Sequence, residues 1–223
     1  MNVCSRFPAW LALVLALAPF ARAADDWGDL WLTFNSASIG LTEAVDTRSE
    51  FEVRLTDTEK AEYVRFSQKF FTRLDAGWQL GTHPVIENLK NRRGWNATYR
   101  LDLELNPPKF TPIKNGPTIG LMNRWEMRWR EGQGDEIFNR IHQKTTATWK
   151  IKAGPFTSYA IANSVFYETD KGIVTMDRIF PVMLGVNHGE KLRASYYLLY
   201  QAKRTSSASD WSGAYILGAS FSL

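Results

Sequence analysis

His142 lies between Arg140 and Lys144 on the polar face of a predicted strand, where it could act as a proton-transfer group or a ligand. Arg140, His142 and Lys144 are two positions apart, so their side chains lie on one face of a β-strand. The neighbouring cations favour the neutral imidazole. The strand predicted at 140–152 contains no Ser or carboxylate to complete a nucleophile–base pair. We therefore expect an ordinary interior histidine, with a proton-transfer group or a ligand as the alternative.

The other histidines and the single cysteine predict no further chemistry. His83 precedes Pro84 in a predicted loop and His188 lies in a predicted turn, so we expect both to face solvent. Three dispersed histidines without a nearby cysteine do not have metal-ligand spacing. Cys4 lies in a predicted leader, so its removal leaves no disulfide, thiol nucleophile or thiolate metal site. The sequence therefore predicts no catalytic, metal or cofactor site.

Charged side chains at every second position form ladders along four segments. This spacing places the charges of each segment on one face of a strand, where they can pair with charges on neighbouring strands. A buried pair left half made would be costly. The predicted ladder residues are Arg48, Glu50, Glu52, Arg54, Arg100, Asp102, Glu104, Arg124, Glu126, Arg128, Arg130, Arg140, His142 and Lys144.

Residues 118–130 show most clearly which element carries these ladders. One parity of the segment is apolar and aromatic, and the other carries three cations and one anion. A period of two predicts a β-strand. In a sandwich the polar face would be wet, but the same alternation recurs in most later segments. We therefore interpret the strand as the wall of a membrane barrel, apolar outside and polar inside.

The rest of the chain divides into short alternating segments, with no apolar run beyond the leader long enough for a transmembrane helix. Together with 118–130 we count ten secure strands and one weak strand, at 29–40. Bacterial single-chain barrels normally have an even number of strands, so we expect ten or twelve. The predicted fold is an all-β, up-and-down antiparallel transmembrane β-barrel of 10–12 strands. The other secure segments are 48–55, 63–74, 77–82, 95–105, 140–152, 157–168, 175–187, 192–202 and 211–223.

The N-terminus has the three parts of a secretory signal peptide: Arg6, the apolar run 10–20 and the small-residue site Ala21-Arg22-Ala23. Cleavage after Ala23 leaves a predicted barrel domain at 24–223. It also lowers Lys plus Arg from 27 to 25 against 23 acidic residues, so the mature chain is nearly neutral and gives no argument for a nucleic-acid partner. In the second half, short and longer predicted loops alternate, which places the C-terminus in the periplasm.

Three short motifs resemble the outer-membrane barrel family catalogued as domain of unknown function 2490. They are the Arg-rich strand 123–128, the Ala-Asn-Ser-Val-Phe segment 162–166 and Asp177-Arg178 at the start of the next strand. The resemblance implies a barrel over nearly the whole mature chain and no particular activity. This chain has Ser164 where the family pattern has Glu.

The last residues, Gly218 to Leu223, resemble the C-terminal signal that the outer-membrane assembly machinery reads, with Leu223 in place of the usual aromatic residue. The predicted location is therefore the outer membrane of a Gram-negative bacterium. The predicted partners are its lipid and lipopolysaccharide and that assembly machinery, with no nucleic acid and no identified solute.

Three functions remain open at this point. The first is a non-enzymatic outer-membrane barrel, structural or acting as a small channel or binding protein. The second is a barrel enzyme that modifies lipid or lipopolysaccharide, although no recognisable catalytic pair supports it. The third is a soluble periplasmic barrel like a lipocalin, with its apolar faces turned inward around a ligand. For the first we expect paired charges to fill the lumen, and the alternative is a charged channel lining that selects a solute.

Overall fold

The computed structural model describes residues 27–56, 60–91 and 94–223, and the predicted signal peptide lies outside this range. The described chain folds almost entirely into strands. A short 3-10 turn, Asp75–Gly77, follows β4 where the tight turn was predicted. The strands are β1 Trp27–Asn35, β2 Ile39–Gly40, β3 Val45–Thr56, β4 Lys60–Arg73, β5 Gln79–Asn91, β6 Gly94–Asn106, β7 Thr118–Arg130, β8 Ile137–Ala153, β9 Phe156–Glu168, β10 Ile173–His188, β11 Leu192–Lys203 and β12 Ser212–Ser222.

The strands close into one barrel. From β3 to β12 each long strand pairs antiparallel with the next. β1 then pairs antiparallel with β3 on one side and parallel with β12 on the other. β2 has two residues and pairs only with β3, so the barrel wall has eleven long strands. This lies within the predicted range, but the expected even number is wrong, because the parallel β1–β12 pair closes an odd barrel.

The alternation along each strand divides the barrel into an apolar outer face and an interior that holds most of the charges. In β7, Trp125 is 47 % exposed whereas Glu126 is 1 % exposed. The in-register outward pairs Phe34–Phe51 and Leu103–Trp125 continue the apolar surface. The predicted division of faces in 118–130 is therefore confirmed.

Aromatic side chains on the outer face lie at mid-strand, as Phe66 and Trp125 do, and also near the strand ends. Trp95, Trp129 and Tyr167 are each one residue from the same end of the barrel, where β6 begins and β7 and β9 end. Phe34 and Phe221 stack at the opposite end, with ring centroids 5.4 Å apart. The outer face thus has aromatic groups at both ends.

A small polar patch lies on the outer face of β8 to β10. It consists of Gln143, Thr145, Asn163 and Asp177: Thr145 pairs with Asn163, while Gln143 and Asp177 both pair with Val165. Asn163 Nδ2 donates to Asp177 Oδ1 at 2.6 Å. This hydrogen bond gives Asp177, the one carboxylate of the four residues, a partner on the adjacent strand.

Two predictions about the connections between strands are wrong. β5 continues through Pro84 to Asn91, so His83 lies in a strand and not in a loop. The short connections 154–155 and 189–191 share an end of the barrel, as predicted, but so does 107–117, the longest described connection. Loop length therefore does not distinguish the two ends.

Part of the interior is a conventional apolar core. Trp31, Ala162, Phe180, Leu199 and Ile216 form a buried cluster on the β1 and β9–β12 side. Met183 and Tyr197 pack against it. The charge network lies mainly on the opposite wall, so the two groups together fill the middle of the barrel.

Candidate functional site

The interior charges meet most closely around Glu126, at the inward face of β7. Its carboxylate accepts hydrogen bonds from Arg140 Nη2 at 2.6 Å and Nε at 2.8 Å. Arg100 Nη1 lies 3.7 Å away on the β6 side, and His142 Nδ1 lies 3.8 Å away on β8. β7 therefore supplies one fully buried anion to cations from both neighbouring strands.

A second group joins β5, β6 and β7 toward the end of the barrel where the chain stops. Glu104 Oε2 accepts from Arg124 Nη2 at 2.6 Å and lies 3.4 Å from His83 Nε2. Asp102 contacts Arg100 Nε at 2.7 Å and Arg124 Nη1 at 3.5 Å. Arg124 thus bridges two carboxylates of the neighbouring strand.

A third group lies toward the opposite end, around Glu87 on β5. Arg128 Nη2 lies 2.6 Å from Glu87 Oε1, and Arg100 Nη1 lies 3.1 Å from Glu87 Oε2. The hydroxyl of Tyr63 donates to the same carboxylate at 2.7 Å. Arg100 therefore connects this group to Asp102 and Glu126, so the three groups form one network.

β3 and β4 add a fourth group. Glu50 pairs with Arg65 and, at 2.5 Å, with Lys69 Nζ. Glu52 contacts Arg65 Nη2 at 2.7 Å and Arg54 Nε at 2.6 Å. Charge-assisted contacts of this geometry are the stronger class of hydrogen bond, and here each carboxylate has two cationic partners.

Several interior cations rest on aromatic rings. Arg54 lies over both Trp31 and Tyr63, each centroid 3.9 Å from its guanidinium carbon. Stacking on a ring face attracts a cation without neutralising it. Within the described strands, four ring-stacked cations form no ion pair with a carboxylate. They are Arg48 over Phe71, Arg130 over Phe138, Lys144 over Phe180 and Arg178 over Trp31 and Phe166.

The fourteen predicted ladder residues all belong to inward-facing positions, but the structure joins them unequally. Eleven lie in the paired network, including His142 at its edge, and Arg48, Arg130 and Lys144 stand outside the ion pairs of the described residues. Sequence reasoning missed Arg65, Lys69, Glu87 and Arg178. Arg65 and Lys69 alternate with Ser67 on β4, a signal that could have identified them.

The predicted environment is confirmed for His142 and wrong for His83. His142 is buried in the interior and stacks on Phe166 at 3.9 Å between centroids, which agrees with the predicted interior position. His83 was predicted to face solvent, and this is wrong: it is 0 % exposed, packed against Phe71 beside Glu104. His188 lies at the end of β10, where the Tyr196 hydroxyl is 3.4 Å from its Nε2.

Among the described residues, one cavity lies inside the mouth of the barrel and another on its outer face. One, about 380 Å³, lies at the end where the chain stops and is lined by small polar groups such as Ser158, Ser195 and Ser220. The other, about 610 Å³, is an outer groove between β5 and β8 that includes Leu103, Trp125 and Ile141. No group of three or more His, Cys, Asp or Glu in the described ranges is placed to hold a metal ion.

No family model, curated protein or solved structure matches the chain. The resemblance to the family of domain of unknown function 2490 therefore stays a prediction. Among the described residues, no helix has the length and apolar character needed to cross a membrane. The class of protein that the fold and the interior define is a closed β-barrel with a charged interior.

Proposed function

We propose that this chain is an outer-membrane barrel of a Gram-negative bacterium whose lumen is closed by its own charge network. In this proposal it works as a structural or binding barrel and not as an open pore or an enzyme. The observation that carries the proposal is the outer face. Large apolar side chains are exposed around the whole barrel, including Phe66, Ile86, Trp125 and Tyr215. A surface of this extent is costly in water but suits lipid.

The positions of the aromatic residues support the same proposal. Aromatic girdles at the two water–lipid interfaces are characteristic of membrane barrels, and part of the outer aromatic groups here, such as Trp95 and Phe34, lie near the strand ends. The predicted leader and C-terminal signal would supply export and assembly. A lipocalin-like barrel would need the opposite arrangement, with its apolar faces inward and its charges outside.

Closure of the lumen is supported by the burial of its central charges. Glu126 and Asp102 are each 1 % exposed and Arg100 is 5 % exposed, although all three side chains point toward the barrel axis. Water that filled an open channel would reach these groups. The apolar cluster around Leu199 occupies the opposite wall, so little space is left for a continuous aqueous path.

Two measurements on the full chain expressed in a Gram-negative host test this proposal. The folded protein should fractionate with the outer membrane and change its gel mobility on boiling, as stable barrels do. The purified barrel should give no steady conductance in a planar bilayer. Recovery in the soluble periplasm without heat-dependent mobility would overturn the membrane location. Steady channel currents would overturn the closed lumen and favour a charged pore.

A further inference from the structure

The interior of the barrel carries more positive than negative charge. Each of the six carboxylates in the network already contacts at least one cation. Lys144 and Arg178 have no carboxylate within ion-pair distance in the described chain. The carboxylates that face them, Glu50 and Glu104 for Lys144 and Glu52 for Arg178, are bonded to other cations. Unpaired charge in a low-dielectric interior is costly, so an anion that neutralised it would be bound favourably.

Lys144 and Arg178 flank a small hydroxyl on the same wall. Lys144 on β8 pairs with Ser164 on β9, and Ser164 pairs with Arg178 on β10. The three residues are therefore in register on adjacent strands and point to the interior. Ser164 is 2 % exposed. Its side chain is shorter than the cationic side chains on either side of it.

Aromatic rings contact both cations on this wall, and Lys144 Nζ lies 4.7 Å from the ring centroid of Phe180. Arg178 lies between Trp31 and Phe166, with both ring centroids 4.8 Å from its guanidinium carbon. Its Nε donates to Gln201 Oε1 at 2.8 Å, and no hydrogen bond within the described ranges uses its Nη atoms. Both Lys144 and Arg178 are half-buried and not fully enclosed.

We propose that Lys144, Ser164 and Arg178 form a binding site for a small oxyanion of the phosphate or sulfate type. The guanidinium presents a fork of donors suited to two oxygens of such an anion. The lysine adds a compact positive charge and the serine hydroxyl a third donor. The site takes a free anion and not a lipid headgroup, because its three side chains face the interior while acyl chains would lie against the outer face. The assignment depends on the barrel and not on its membrane location.

Phosphate binding to the refolded full chain in detergent micelles tests the site. Inorganic phosphate is titrated at constant ionic strength, with chloride as the compensating anion, and binding is followed by calorimetry. Wild type should show saturable binding. Lys144→Gln and Arg178→Gln should each weaken it about tenfold or more, because each removes a charge-assisted contact. Lys152→Gln is the matched control, since it removes an exposed lysine from the same strand and should leave the affinity unchanged.

Ser164→Ala provides a variant that keeps both charges, so it remains informative if a charge variant fails to fold. It should weaken phosphate binding about threefold, the effect of one neutral hydrogen bond. Saturable wild-type binding that Lys144→Gln, Arg178→Gln and Ser164→Ala all leave unchanged would overturn the site. Absence of saturable phosphate binding to wild type would overturn it equally. Neither result would alter the fractionation or conductance tests of the proposed function.

Discussion

Glu126 is the carboxylate that the central cations contact, so its removal should destabilise the network. Glu126→Ala leaves Arg140 without its carboxylate and weakens the surroundings of Arg100. Breaking a buried pair in this way costs about 3–5 kcal/mol, because the remaining charge is uncompensated. We expect the free energy of unfolding to fall by this amount in a urea titration of the micelle-bound barrel.

Glu190→Ala is the matched control for that experiment, since Glu190 is exposed in the turn after β10. It should leave the unfolding midpoint within experimental error. If the lumen were instead a wet pore, water and counterions would solvate the orphaned cations. A Glu126→Ala barrel with an unchanged midpoint and a reversal potential shifted toward anions would therefore contradict the closed lumen.

Tyr63 tests the edge of the network without changing any charge. Its hydroxyl donates to Glu87 Oε2 at 2.7 Å, and hydrogen bonds to charged groups contribute about 1.5–3 kcal/mol. Tyr63→Phe should lower the free energy of unfolding by about that amount. Tyr99→Phe, which alters an exposed outward tyrosine on β6, should change it little. Equal effects of the two substitutions would indicate that the Glu87 contact adds no stability.

Single residues could be assigned to a face from sequence, but their partners could not. The period of two along 124–130 was enough to place Arg124, Glu126 and Arg128 inside. Which carboxylate each arginine meets depends on the neighbouring strand and its register. Glu87 was missed altogether, because the second half of its strand was not predicted.

β7 is the element on which the lipid-facing assignment can be tested. Met127 points outward, away from the charge network. Met127→Arg should cost roughly 2–4 kcal/mol of folding free energy in lipid vesicles if the position lies near the bilayer midplane. Ile137→Arg, at the first position of β8, should cost about 0–1 kcal/mol, as expected near an interface. Equal tolerance of arginine at Met127 and at its inward neighbour Glu126 would contradict the assignment of faces.

β5 shows why element boundaries were the weaker part of the prediction. Pro84 lacks a backbone N–H and usually ends a strand or lies at its edge. Here the β4–β5 pairing is interrupted between Ser67–Val85 and Phe70–Thr82, while the β5–β6 pairing runs without a break. The interruption accommodates the missing donor, so the strand continues and carries His83 and Glu87 into the interior. A single sequence contains no signal for this interruption.

The number of strands was counted correctly from the alternation, and a general rule then changed the prediction to an even number. Alternation alone identified ten clear strands and one weak one, and the barrel has eleven long strands. The even-number rule assumes that the first and last strands pair antiparallel. In this barrel β1 and β12 run in the same direction, so the start of β1 and the end of β12 lie at opposite ends. Closure is a long-range contact that the periodicity of separate segments cannot specify.

That closure makes a prediction for the whole molecule. Thr33 on β1 is directly paired with Ser220 on β12, and paired strands lie about 4.8 Å apart, within the usual Cα separation of disulfides. In a Cys4→Ser background, Thr33→Cys combined with Ser220→Cys should form a disulfide on mild oxidation and change gel mobility without reductant. Thr33→Cys combined with Ser212→Cys, which places the second thiol at the far end of β12, should not. An even barrel closed by β3 against β12 would leave Thr33 away from Ser220, so absence of the first cross-link in a folded protein would refute the parallel closure. Formation of the cross-link would place Thr33 beside Ser220, as the pairing of β1 with β12 requires.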